Sequence, residues 1–176
     1  LAGLTGEERR LTEALACCRA ALDDLRHEQA PLLWRALKLR FARIAIPLAE
    51  EREDDALLEE AISALATALA RWNRDGDEVR WLEAEQLISR GRAALGRRTS
   101  DLALLERAFN GFNRVAKTVN RQREPLRWAE LQDQMGGVLA AMGERYSESV
   151  VLEEAVAAFD AALEERRRER SPQLWA

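Results

Sequence analysis

The feature that most constrains this chain is a period. Trp34, Trp81, Trp128 and Trp175 follow one another at intervals of 47 residues. The block Leu58-Glu59-Glu60-Ala61 returns at the same interval as Leu105-Glu106-Arg107-Ala108 and Leu152-Glu153-Glu154-Ala155, and one step back it meets Leu11-Thr12-Glu13-Ala14. Pro31, Glu78, Pro125 and Pro172 share the spacing. Self-similarity at such an interval is the mark of a stacked repeat, because one unit cannot bury its apolar face alone. The units run over 31–77, 78–124 and 125–171, with a partial unit over 1–30 and the opening of another at 172–176. Together they make a single array over 1–176.

Each unit divides into two amphipathic helices. Trp128, Leu131, Met135, Val138 and Met142 share one face at helical spacing. So do Trp34, Leu37, Phe41, Ile44 and Leu48, and likewise Trp81, Ala84, Ile88, Gly91 and Leu95. The second helix of a unit carries Leu152, Ala155, Phe159, Ala162 and Leu163, matched by Leu105, Ala108, Phe112, Val115 and Ala116 and by Leu58, Ala61, Leu65, Ala68 and Leu69. Pro125 and Pro172 suit a first helical position, and Ser171 suits the cap before it. Glu7, Asp54, Asp101 and Glu148 recur where second helices should begin, and an acidic residue there complements the helix dipole. Gly96 and Gly143 stand where first helices should end. The pattern predicts helices over 7–26, 32–49, 54–72, 79–95, 101–120, 126–142 and 148–169.

Composition supports an all-α reading. Ala occurs 31 times and Leu 27 times, the residues that cost least in a helix, while four Pro and nine Gly are few for a sheet protein. The fold class expected is all-α: a right-handed α-solenoid of antiparallel helix pairs with about seven helices. The net charge of −4 argues against nucleic acid as the partner, since a phosphate backbone calls for a basic face. No long charge-free stretch offers a membrane span. The start lacks the features of a signal peptide and an initiator Met, so the chain is expected to be a fragment, a processed product or the ordered part of something longer.

On these residues the chain resembles the tetratricopeptide repeat family, in an extended form. Ala155-x3-Phe159 and Ala108-x3-Phe112 match the second-helix half of that pattern, with Leu65 and Cys18 replacing Phe in the other units. Met135-Gly136-x2-Leu139 stands where Leu-Gly-x2-Tyr is expected. The stretch from Glu124 to Ala129, with Met142-Gly143-Glu144, is similar to bacterial long-repeat arrays of the family. The resemblance covers nearly the whole chain, strongest over 125–170 and weakest over 79–100. A HEAT-type array shares the period, but the Ala-x3-Phe motif and the small Gly136 or Ser89 position favour the tetratricopeptide form.

Few residues suggest chemistry. The periodic Trp residues read as knobs that pack a first helix on the preceding second helix, with a ligand-stacking ladder as the alternative; Trp72, outside the series, is open between surface contact and packing. Cys17 and Cys18 align with packing positions, small and large, and lack the C-x-x-C spacing of redox or metal sites. Two free thiols fit a reducing compartment, hence a cytoplasmic location. His27, the one His, has no recognisable catalytic partner. Asp75-Gly76-Asp77-Glu78 lacks the alternating ligands of a calcium loop and reads as a turn. Gly136-Gly137 has no preceding strand and is no phosphate loop, and Glu164–Arg170 reads as a solvated face. No catalytic, metal or cofactor site is therefore expected, and the chain is not expected to be an enzyme.

The family resemblance implies a concave surface lined by the first helices that binds a peptide or protein segment, making the chain an interaction scaffold. Aligned on Met135-Gly136, that lining would be Ala36, Leu39 and Arg43, then Glu83, Gln86 and Arg90, then Glu130, Asp133 and Gly137. Arg35, Lys38, Arg40 and Arg43 in helix 32–49, against Glu130 and Asp133 in 126–142, suggest a groove running from basic to acidic. A regulatory or sensor module cut from a longer chain is the alternative. No nucleic acid and no membrane are expected as partners. Apolar faces left uncovered at both ends leave an end-to-end homodimer open.

Overall fold

A computed structural model describes residues 6–72, 76–146 and 149–167, without the side chain of Glu7. The described residues form seven α-helices and no strand: α1 Gly6–Asp24, α2 Pro31–Arg52, α3 Asp55–Leu69, α4 Glu78–Thr99, α5 Leu102–Ala116, α6 Pro125–Tyr146 and α7 Ser149–Glu165. The expectations for Glu148, Asp75 and residues 168–176, including the Ser171 cap and Trp175, lie outside the described residues. The period is carried by the backbone itself. Helices α2, α4 and α6 start at Pro31, Glu78 and Pro125 and end at Arg52, Thr99 and Tyr146, while α3, α5 and α7 start at Asp55, Leu102 and Ser149. Every one of these series steps by 47 residues.

The chain forms two compact units, Leu1–Gly91 and Arg92–Ala176, whose boundary falls inside α4 instead of between sequence repeats. In the first, α1 packs on α2 and α2 on α3. In the second, α5 packs on α6 and α6 on α7. The first core is built on Phe41, Ala42, Ala45, Ile46, Leu58, Ala61 and Leu65, all within 1% of complete burial. Leu105, Ala108, Phe112, Leu131 and Val138 do the same in the second.

Local chemistry explains the start of each element. Pro31 and Pro125 open α2 and α6, where the missing N–H costs nothing. Pro is absent at Glu78, and there the Asp77 carboxylate accepts the Arg80 N–H at 3.4 Å. Asp54 Oδ1 accepts the Leu57 N–H at 3.0 Å, and Asp101 Oδ1 accepts the Leu104 N–H at 3.1 Å, so these two of the four expected acidic starts are side-chain caps.

Helix ends differ from the sequence expectation in two ways. First helices run on by three or four residues, because Gly96 and Gly143 are not caps. A Cβ on Gly96 would lie 3.0 Å from Leu105 Cγ, and one on Gly143 2.7 Å from Leu152 Cδ2. The glycines let the next helix cross closely, and Ala49, fully buried, holds the same place in the first unit. The left-handed caps fall instead on Glu53 (φ 55°) and Ser100 (φ 63°). The N–H groups of Asp54 and Asp101 then reach back to the carbonyls of Ala49 (2.9 Å) and Gly96 (3.0 Å).

Second helices stop earlier than expected, at Leu69 and Ala116 rather than Trp72 and Asn120. Beyond them the bonding tightens to three-residue turns: Trp72 N–H to Leu69 carbonyl at 3.2 Å, and Val119 N–H to Ala116 carbonyl at 3.2 Å. That turn tucks Trp72 and Val119 into the core, each 8% exposed. Trp72 is thus a packing residue and not a surface contact. Cys18 is buried as expected, whereas Cys17 is exposed, unlike its equivalents Gly111 and Ala158. Val150, Val156 and Leu163 of α7 are also exposed.

The small position read from the family pattern is a close approach. A Cβ on Gly136 would sit 2.9 Å from the Phe159 ring. Its equivalents Ala42 and Ser89 are fully buried, and the Ser89 hydroxyl donates to the Glu85 carbonyl at 2.7 Å.

Candidate functional site

Four of the residues expected to line a concave surface meet in one open groove of the first unit. Ala36, Leu39 and Arg43 of α2 face Glu83 of α4, joined by Arg40, Ile44 and Arg80, around a volume of about 590 Å³. The helical period produces this gathering: positions 36, 40 and 43 repeat on one face of α2. Leu39 is only 4% exposed and forms the floor, not a side chain offered to solvent. Arg43 and Glu83 form an ion pair across the groove.

Gln86 and Arg90 lie further along α4, where Arg90 Nε donates to Glu50 Oε2 at 2.9 Å. Arg43 with Glu83 and Glu50 with Arg90 are both separated by 40 residues in sequence, which is one repeat less two helical turns. The spacing recurs elsewhere. Arg52 Nη2 donates to Thr12 at 3.3 Å in the first unit, and the Tyr146 hydroxyl donates to Glu106 at 3.1 Å at the equivalent place in the second. Opposite charges 40 residues apart were a legible signal that repeat alignment alone does not reveal.

Glu130 and Asp133 belong to the second unit. Gln134 donates to Glu130 at 3.3 Å, and Arg166 Nη1 approaches Asp133 at 3.4 Å. The expected run from basic to acidic loses part of its basic end. Arg35 lies over Trp72, 5.2 Å from the ring centroid, and Lys38 lies over Trp34 at 4.5 Å while donating to Thr67 at 2.9 Å. At 3.6 residues per turn, positions 35 and 38 fall on a different face from 36, 40 and 43. Arg40 and Arg43 of the expected set do line the groove, and Arg80 of α4 joins them. Gly137 has open space at its Cα.

The Trp series packs unevenly. Trp34 is buried, with His27 edge-on at 5.1 Å and Arg71 at 5.7 Å. Trp128 is half-buried beneath Arg121 at 4.3 Å. His27 and Arg121 each precede their Trp by seven residues and are themselves two periods apart. Arg121 also bridges Glu164 (2.7 Å) and the buried Glu165 (2.6 Å), and those hydrogen bonds raise its pKa. Trp81 is half-buried too, so burial differs along the Trp series.

No family model, curated protein or solved structure matches the chain. Among the described residues no group of three or more His, Cys, Asp or Glu side chains could hold a metal ion. No helix among them is long and apolar enough to cross a membrane.

Burial lowers the pKa of Lys38, and the charge of Arg71 lowers it further. Between the lowered value and the ordinary 10.5, the unfolded chain binds more protons than the folded one, so folding stability rises with pH across that window. Urea midpoints of wild type and Lys38→Met should therefore shift in favour of wild type as pH climbs toward about 10.5. A constant gap between the two would show that Lys38 is not desolvated.

Proposed function

We propose that this chain is a helical repeat module of tetratricopeptide type, a solenoid of antiparallel helix pairs that holds a peptide or protein segment on the surface of its first helices. The observation that carries the reading is the α2–α4 groove, where expected lining residues from two successive first helices, Ala36, Leu39, Arg43 and Glu83, converge. The step of 47 residues in the helix bounds supports a repeat. Gly136 against the Phe159 ring supports the tetratricopeptide form over the HEAT form, since it is the small-residue and Ala-x3-Phe pairing of that pattern. No catalytic step is part of this reading.

Affinity capture from a lysate with the intact chain, followed by mass spectrometry, tests it. Ala36 is exposed, so Ala36→Trp fills the groove without entering the core. Proteins retained by the wild type should be lost with Ala36→Trp. Identical captured sets would contradict the groove as the binding surface.

A further inference from the structure

We infer that the α2–α4 groove takes an acidic peptide segment carrying aliphatic side chains at one end. This deepens the peptide-binding reading and rests on it. Among the described residues the groove is lined by three arginines, Arg40, Arg43 and Arg80, against one carboxylate, Glu83. The chain as a whole carries −4, so this positive site runs against its average charge.

The arginines are available. Arg40 is exposed and has no ion-pair or hydrogen-bond partner among the described residues. Among the described residues Arg80 reaches Asp77 alone, three residues earlier, at 3.2 Å. Arg43 is more than half exposed while paired with Glu83. Exposed ion pairs contribute little, so exchanging them for a ligand carboxylate costs little, whereas an arginine fork on a carboxylate is directional. Glu83 occupies the place such a carboxylate would take and competes with it.

The aliphatic end comes from the helix starts. Leu32 and Leu33 lie one turn before Ala36 on α2 and are 70% and 54% exposed; Val79 lies one turn before Glu83 on α4 and is 77% exposed. Large aliphatic side chains left in water beside a charged groove mark a contact surface. Ala36 keeps the wall low, and Leu39 and Ile44 supply an apolar floor. Among the described residues the lining holds no aromatic ring on which a base could stack, which favours a peptide over a single-stranded nucleic acid.

Fluorescence anisotropy with a labelled peptide of about a dozen residues, two leucines followed by alternating Glu and Ser, tests the assignment on the intact chain. The peptide should bind. Raised salt, Arg40→Glu or Arg80→Glu should each weaken it about tenfold, and Glu83→Gln should strengthen it about threefold by removing the competitor. Equal binding of the Lys-for-Glu peptide, indifference to Arg40→Glu, or displacement by oligothymidylate would overturn the ligand class. A random-peptide selection separates the two readings. Neutral or basic binders that are lost with Ala36→Trp would overturn the acidic ligand and leave the groove reading standing; no binder sensitive to Ala36→Trp would remove both.

Discussion

Replacing Phe112 with alanine is expected to lower stability by about 3–5 kcal/mol, the usual cost of removing a buried ring and leaving a cavity. The ring is 1% exposed, beside Leu105 and Ala108 in the core of the second unit. Leu65→Ala, its equivalent in the first unit and also fully buried, should cost about 2–5 kcal/mol. Trp128→Ala should cost less than Phe112→Ala, because Trp128 is only half-buried and is covered by Arg121. Urea denaturation followed by circular dichroism gives the order. A Phe112→Ala loss below about 1 kcal/mol would mean that the repeated large position of the second helices does not carry the core.

The glycines of α6 are expected to respond with opposite signs. A Cβ at Gly143 would meet Leu152 Cδ2 at 2.7 Å and the Leu152 backbone nitrogen at 3.1 Å, which side-chain rotation cannot relieve. Gly143→Val should therefore cost about 1–3 kcal/mol or more through overpacking. Gly136→Ala, facing the Phe159 ring at 2.9 Å, should also destabilise. Gly137 has nothing within 4 Å of its would-be Cβ, so Gly137→Ala should stabilise by about 0.5–1 kcal/mol from helix propensity alone. Thermal melts of the three variants check this. If Gly136→Ala and Gly137→Ala moved the midpoint alike, α6 would not approach α7 as described.

Those glycines also show where sequence reasoning stopped. Helix starts were legible, because Pro31, Pro125, Asp54 and Asp101 satisfy or avoid orphan N–H groups by chemistry local to a few residues. Helix ends were not. Gly96 and Gly143 look like caps, and only the three-dimensional crossing of Leu105 and Leu152 reveals that they are spacers, while the left-handed positions went to Glu53 and Ser100. Trp72 looked isolated because its equivalents, Leu25 and Val119, are apolar but not aromatic.

In the groove, register predicted Ala36, Leu39, Arg43 and Glu83. Charge brought in Arg40, and Arg80 was missed because it lies one turn before the motif position on the neighbouring helix. Arg35 and Lys38 were counted toward the groove by charge alone, and helical geometry sends them to Trp72 and Trp34. The pairing of Arg43 with Glu83 and of Glu50 with Arg90 needs a shift of two turns between successive first helices, which no single repeat contains.

If a 47-residue helix pair is the building unit, duplicating one should extend the fold without disturbing it. A second copy of residues 78–124 inserted after Glu124 preserves every repeat interval. Nearest-neighbour stacking predicts unchanged helicity per residue, a single cooperative urea transition and a higher midpoint, since an inner unit brings its own interface. A fall in helicity per residue together with a lower midpoint would contradict the account.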